Sequence, residues 1–333
     1  MLWNHSEVNI ARLLIFSLFI LFASAKAPAC SVPVFRYALN YWQADEFELH
    51  AHSPKLPPDI SINLNVKPAS AGAARLMMGE RQIWSGDLTA ETLTRLLDSP
   101  VRREIVTRIV KGDSVVWVVV ESGDAAKDDS VTRALSERLR YLESIAVMPE
   151  LRPDDPFNRL GPGPALVVRH SVIRLSRKDP RETFTLAMLE RDGKAASYPV
   201  AYPVFGRGRV LIALPQEKLT TDNIDEVSGF LTSACSCEVK DKRMGWDLLL
   251  QCDWEEELGR AEQQRRNGPD TPVTASRPLA QAAMKPETVA IRAQLPAIPP
   301  RQHLPWHARK LTIASALLLF AGIVSLLWIR KRA

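Results

Sequence analysis

The chain has 333 residues and a formal charge of +5, with 24 prolines and four cysteines. Residues 261–310 carry eight basic and three acidic side chains, and residues 330–332 add three more basic ones, so residues 26–260, the part expected to fold, are slightly acidic. That distribution excludes a nucleic-acid binder working through a basic face of its folded part, and long apolar segments near both ends exclude a simple cytosolic enzyme.

In chain order, Arg12 precedes an apolar run over 13–22 that ends in Ala23-Ser24-Ala25. This predicts a secretory signal over residues 1–25. A short helix is expected over 34–41, strands over 47–52 and 60–67, a hairpin strand over 75–84 and a closing helix over 89–97. The run VVWVVV, Val115 to Val120, is too short for a buried helix and rich in β-branched residues, so it reads as a buried strand. Val131, Leu135, Leu139 and Leu142 recur at helical spacing, and a proline-rich loop over 149–164 follows that helix. Residues 165–176 form the next strand candidate. Asp179-Pro180-Arg181-Glu182 reads as a helix start, Asp179 capping and Glu182 closing a capping box, and Asp192-Gly193 ends that helix. Extended segments over 198–205 and 209–214 flank Gly206-Arg207-Gly208 as a hairpin turn, and a helix covers 221–231. Residues 235–241 are expected to pair with 246–254 as a closing hairpin.

Beyond residue 260, eight prolines over 261–306 predict an extended tether, taken as 261–308. Residues 311–329 are uncharged, would cover about 28 Å of hydrocarbon, and are bracketed by Trp306 and Trp328. They predict a transmembrane helix over 309–329, in contact with membrane lipid, and a basic cytoplasmic tail over 330–333. The expected topology is a single-pass membrane protein with its bulk outside the cytoplasm.

The order strand, helix, strand, helix, strand, strand, helix from Val115 onward, with a proline ahead of the third strand at Pro199 or Pro203, resembles the thioredoxin fold. The fold class expected is therefore α/β and thioredoxin-like, with a fuller domain over 113–260 and an abbreviated half over 26–112. Residues 88–93 align with 219–224, which suggests two related halves; chance likeness between two strand-to-helix junctions is the alternative. The segments CSVPVFRYAL, VWVVVESGD, PVFGRGR and the late CSC with a following DW also resemble a group of exported bacterial proteins, a likeness that implies no activity.

Thioredoxin-like folds carry a reactive cysteine at the start of their first helix, where the dipole and free N–H groups stabilise a thiolate. Cys30-Ser31-Val32-Pro33 sits in a similar place, but Pro33 stands where a resolving cysteine would be. Residues 121–130, the equivalent turn of the second half, contain no cysteine, so that half reads as redox-dead. The resemblance thus implies a binding or assembly module for a protein partner in the cell envelope, without catalysis. The alternative is thiol–disulfide exchange through Cys30. Lipidation of Cys30 is disfavoured because Ala27-Pro28-Ala29 lack the expected aliphatic residue.

In the closing hairpin Cys235 would face Cys252 and form a disulfide, and a two-residue slip would pair Cys237 with Cys252. Three thiols without a fourth ligand do not make a zinc site, and no metal or cofactor is expected. His50 and His52 share one strand face without a third ligand, and a solvated face is the simpler reading. His170 reads as a satisfied polar residue, and Asp154 and Asp155 belong to no catalytic constellation. Arg207, at the tip of the hairpin turn, is the candidate contact for an acidic partner.

Overall fold

The computed structural model describes residues 31–267 apart from 53, 59, 71, 152–158 and 192–195. The chain divides into two compact units, Met1–Pro278 and Leu279–Ala333, and every described residue lies in the first. The elements run α1 (Val34–Tyr41), β1 (Phe47–Ala51), β2 (Leu64–Pro68), β3 (Ala74–Met78), β4 (Arg81–Gly86), α2 (Ala90–Leu97) and α3 (Pro100–Val110). Next come β5 (Val115–Val120), α4 (Ala125–Ile145), β6 (His170–Leu175), α5 (Thr183–Leu189), β7 (Val200–Phe205), β8 (Arg209–Val210) and β9 (Leu214–Pro215). The chain continues with α6 (Thr221–Thr232), α7 (Cys237–Lys242), β10 (Trp246–Asp247) and α8 (Trp254–Asn267).

This is a mixed α/β architecture with two sheets. The first has strand order β2-β1-β3-β4 and the second β10-β8-β7-β5-β6, with β9 also on β7. In the first sheet β1 is parallel to β2 and antiparallel to β3, and β3 is antiparallel to β4. The second sheet repeats these senses: β5 is parallel to β6 and antiparallel to β7, and β7 is antiparallel to β8.

Strand β5 explains how the layers stack. All six of its residues are buried, and because successive side chains point to opposite faces it feeds two cores. Val116, Val118 and Val120 join Phe47, Leu49 and Leu76 of the first sheet, Leu96 of α2 and Ile105 of α3 in one cluster. Val115, Trp117 and Val119 pack on the other side with Val34 of α1, Leu135 of α4 and Leu231 of α6. Leu248, Leu249 and Leu250, each at most 2% exposed, complete the first cluster. Burying each such leucine contributes about 1.5–3 kcal/mol. The two sheets therefore share one core.

The helices start where their caps dictate. Thr89 accepts from Thr92 N, Asp124 from Ala126 N and Lys127 N, and Thr220 from Asn223 N, each satisfying donors the first turn cannot. Asp179 caps as expected, accepting from Arg181 N. Glu182 does not close a capping box. It turns inward at 1% exposure and accepts from Val101 N at 2.8 Å, at the start of α3.

The closing hairpin is absent. Residues 237–242 are helix α7, whose cap Ser236 accepts from Val239 N and whose Glu238 and Lys242 pair at 2.6 Å one turn apart. Trp246 and Asp247 pair instead with Val210 and Arg209 of β8. The single hairpin strand expected over 75–84 is two strands, β3 and β4, reversing at Gly79 with φ +58°, a backbone region open to glycine. Two groups on the outer edge of β6 are engaged by side chains: Arg108 Nη1 donates to Val172 O at 3.1 Å, and the His170 N–H goes to Glu143.

The signal over 1–25, residues 268–308 of the tether, the transmembrane helix over 309–329 and the tail lie outside the described residues, as do Cys30, Asp154, Asp155, Asp192 and Gly193; the first seven tether residues, 261–267, are not extended but complete helix α8. Among the described residues no helix is long and apolar enough to cross a membrane.

Candidate functional site

The Gly206-Arg207-Gly208 turn lies where the two sheets, α1 and α8 meet. Gly206 and Gly208 have φ of +59° and +96°, and a Cβ on Gly208 would sit 2.2 Å from Leu250 Cδ1, so glycine is required for both conformation and space. Arg207 is not an exposed tip. It is 8% exposed, and its Nε donates to Leu39 O at 2.9 Å, Nη1 to Gln43 at 3.2 Å and Nη2 to Glu255 at 2.8 Å. With its donors engaged by α1, the α1–β1 connection and α8, it holds elements together.

Arg209, which no local motif marks, anchors a second and more buried cluster. Its Nη1 lies 2.6 Å from Asp247 and 3.2 Å from Asp45, and its Nε donates to Met244 O at 2.9 Å. The Asp45 N–H donates to Asp247 Oδ2 at 2.7 Å, and Arg243 pairs with Asp45 at 3.2 Å. Burial pushes the Asp247 carboxyl up, to about 6, against the pull of Arg209. A planar fork matched by carboxylates and carbonyls on every side is a rigid joint, with no capacity left for a ligand.

At the β5–α4 turn the groups that could hold an anion are already used. Asp124 Oδ1 accepts from Ala126 N at 3.1 Å and Lys127 N at 3.3 Å. Asp128, 2% exposed, accepts from Ser122 N and Ser122 Oγ at 2.8 Å and from Gly123 N at 3.0 Å. The backbone bond from Lys127 is the first cause that holds the Asp124 carboxyl below its ordinary range.

Cys235 and Cys252 are not bridged to one another. Cys235 belongs to the cluster around α1 and α6, whereas Cys252 packs against the other cluster, because the hairpin that would have set them opposite is replaced by α7. Cys252 borders a cleft of about 560 Å³ with Ser61, Thr107 and Glu257. Burial, then Glu257 and Asp253, push its thiol up to about 12, which leaves it protonated and unreactive at neutral pH. Cys237 opens α7. The backbone of Cys235 meets the start of the described chain: its N–H donates to Val32 O at 2.9 Å, beside an antiparallel bridge between Pro33 and Ala234.

His50 Nε2 lies 2.9 Å from Glu48, and His52 Nδ1 is 3.4 Å from Ala69 O. Among the described residues no group of three or more His, Cys, Asp or Glu could hold a metal ion. Trp117 Nε1 donates to His170 Nδ1 at 3.4 Å, whereas His170 Nε2 is buried without a partner among the described residues. Burial pulls the His170 pKa down to about 4.

One concavity unites residues that no motif would have linked. A cleft of about 600 Å³ is lined by Arg81, Arg191, Tyr198, Tyr202, Ile212 and Trp246 among others. Arg191 sits 5.0 Å over the Trp246 ring, and Tyr202 meets that ring edge-on at 6.5 Å. These side chains come from segments far apart in sequence, and the only earlier signal was their aromatic and cationic character. No protein-family model, curated protein or solved structure matches the chain.

Proposed function

We propose that this chain is a membrane-anchored, extracytoplasmic, thioredoxin-like binding or assembly module of the cell envelope that works through contacts and not through thiol chemistry. The observation that carries the reading is the β5–α4 turn. In a thioredoxin-like frame this is where a reactive thiolate would draw on free N–H groups, and here Asp124 and Asp128 take up those groups while no cysteine is present.

The thioredoxin-like part of the reading is supported by the common strand order and strand senses of the two sheets. The membrane part rests on the apolar segments over 13–22 and 311–329. The aromatic cleft beside Trp246 supplies a concave surface of the size that binding sites use. The test is chemical cross-linking of the full-length protein in intact membranes, followed by identification of joined peptides. A reproducible envelope protein joined through the described domain supports the reading; absence of any such partner across reagents of different length and chemistry overturns it.

A further inference from the structure

The cleft beside Trp246 brings a cation and apolar walls together. Trp246 is held in place by its backbone, which pairs with Val210 of β8, by its Nε1, which donates to Met188 O at 3.0 Å, and by Tyr202, which meets its ring edge-on. Its face carries Arg191, 5.0 Å away. An aromatic face attracts a guanidinium without taking up its forked N–H donors as a carboxylate does, so the stack positions Arg191 and leaves those donors for an acceptor.

The neighbouring charges are already matched. Glu190, the acid among the described lining residues, pairs with Arg177 at 2.7 Å, with both side chains at most 14% exposed. Arg81 turns to the end of α5, its Nη2 lying 3.4 Å from Ala187 O and from Glu190 O. Arg191 is exposed, and among the described residues no oxygen accepts from its guanidinium. Tyr198 and Ile212, on the walls of the same cleft, are 37% and 43% exposed. Covering them removes apolar surface from water.

We propose that this cleft binds a carboxylate carried on an aromatic group, the carboxylate pairing with Arg191 and the ring covering Tyr198 and Ile212. One guanidinium matches one carboxylate through two parallel hydrogen bonds. A phosphate dianion would bring a second charge against apolar walls with no partner for it. The volume of about 600 Å³ lies in the range that small-ligand sites use and leaves room for a ring beside the ion pair. The same chemistry comes from a free aromatic acid or from the C-terminus of a polypeptide whose last residue is aromatic. The proposal names the ligand chemistry of the binding reading given above and rests on that reading for its role in the cell; the cleft itself does not.

The experiment titrates full-length protein in detergent, with empty micelles subtracted, against phenylacetate and N-acetyl-dialanyl-phenylalanine, each beside its uncharged amide. The acids should bind at least about tenfold more tightly than the amides, as a hydrogen-bonded charge pair requires. Arg191→Ala should bring the acids down to the level of the amides and leave the amides where they were, a change that a merely structural loss would not produce. Arg191→Lys, which keeps the charge without the fork, should restore part of the difference. The tighter of the two acids identifies the source. Equal binding of acids and amides, an acid-to-amide ratio unchanged in Arg191→Ala, or no saturable binding of either acid overturns the proposal. Acid binding by a protein that yields no cross-linked envelope partner supports the cleft and fails the reading above; a cross-linked partner without acid binding does the reverse.

Discussion

Arg209 and Asp247 face each other at 2.6 Å with side chains 6% and 3% exposed. Removing one partner of such a pair leaves an uncompensated buried charge, a loss of roughly 3 kcal/mol. Asp247→Ala should therefore lower the urea midpoint markedly, and Asp247→Asn, which keeps an acceptor for the Asp45 N–H, should do so less. Equal midpoints for the alanine variant and the parent would remove the joint from the account of stability. His170 gives a prediction of a different kind. Its folded pKa of about 4 lies below the ordinary 6.5, so between these values the unfolded chain binds a proton that the folded chain does not. Stability is then complete above about pH 6.5 and falls as the pH drops towards 4, by up to roughly 3 kcal/mol. Denaturation curves at pH 7 and pH 4.5 should diverge more for the parent than for His170→Gln, and identical pH slopes would refute the assignment.

Glu182 shows how one side chain can join two elements. It belongs to the turn before α5 yet closes the N-terminus of α3 through Val101 N, where a carboxylate also meets the favourable end of the helix dipole. Glu182→Ala should cost about 1–2 kcal/mol, and Glu182→Gln, which retains the carbonyl acceptor, should cost less. Hydrogen exchange at Val101 and Arg102 reads the difference directly, and unchanged protection in the alanine variant would contradict it. Glu182 also marks the limit of what the sequence makes legible. The elements with a clear apolar period, such as Val115–Val120 and Thr221–Thr232, lie where periodicity places them. Helix α3 went unread because Arg102 stands on its buried face, held by Leu96 O and Leu249 O at 2.9 Å, and interrupts the apolar stripe of Val101, Ile105 and Ile109. The segment 237–242 failed for the opposite reason. Cys237 and Val239 fit an alternating strand, whereas the Ser236 cap and the Glu238–Lys242 pair favour a helix. The turn at Arg207 was found, but its burial depends on Leu39 and Glu255, far away in the chain and invisible to any local pattern.

At the scale of the whole folded unit, the shared cluster of the two sheets predicts a single cooperative transition. Leu249, fully buried between elements of both sheets, should cost about 3 kcal/mol when replaced by alanine. Leu249→Ala should therefore shift unfolding monitored in the first sheet and in the second to the same new midpoint. Separate midpoints, one near that of the parent, would mean that the sheets fold independently. By the same argument residues 31–112 alone should show no cooperative melting, since Leu49 and Leu76 would lose the partners that β5 and Leu248 provide.

The covering of strand β6 bears on crowding. A bare sheet edge invites a neighbouring molecule to add its own strand, and the invitation strengthens as molecules are concentrated. Here the guanidinium of Arg108 and the carboxylate of Glu143 already occupy two outward-facing groups of that edge, Val172 O and His170 N, so an added strand would have to displace both side chains to pair there. Along this edge, crowding alone does not free those two positions; they open once α3, which carries Arg108, and α4, which carries Glu143, lift away.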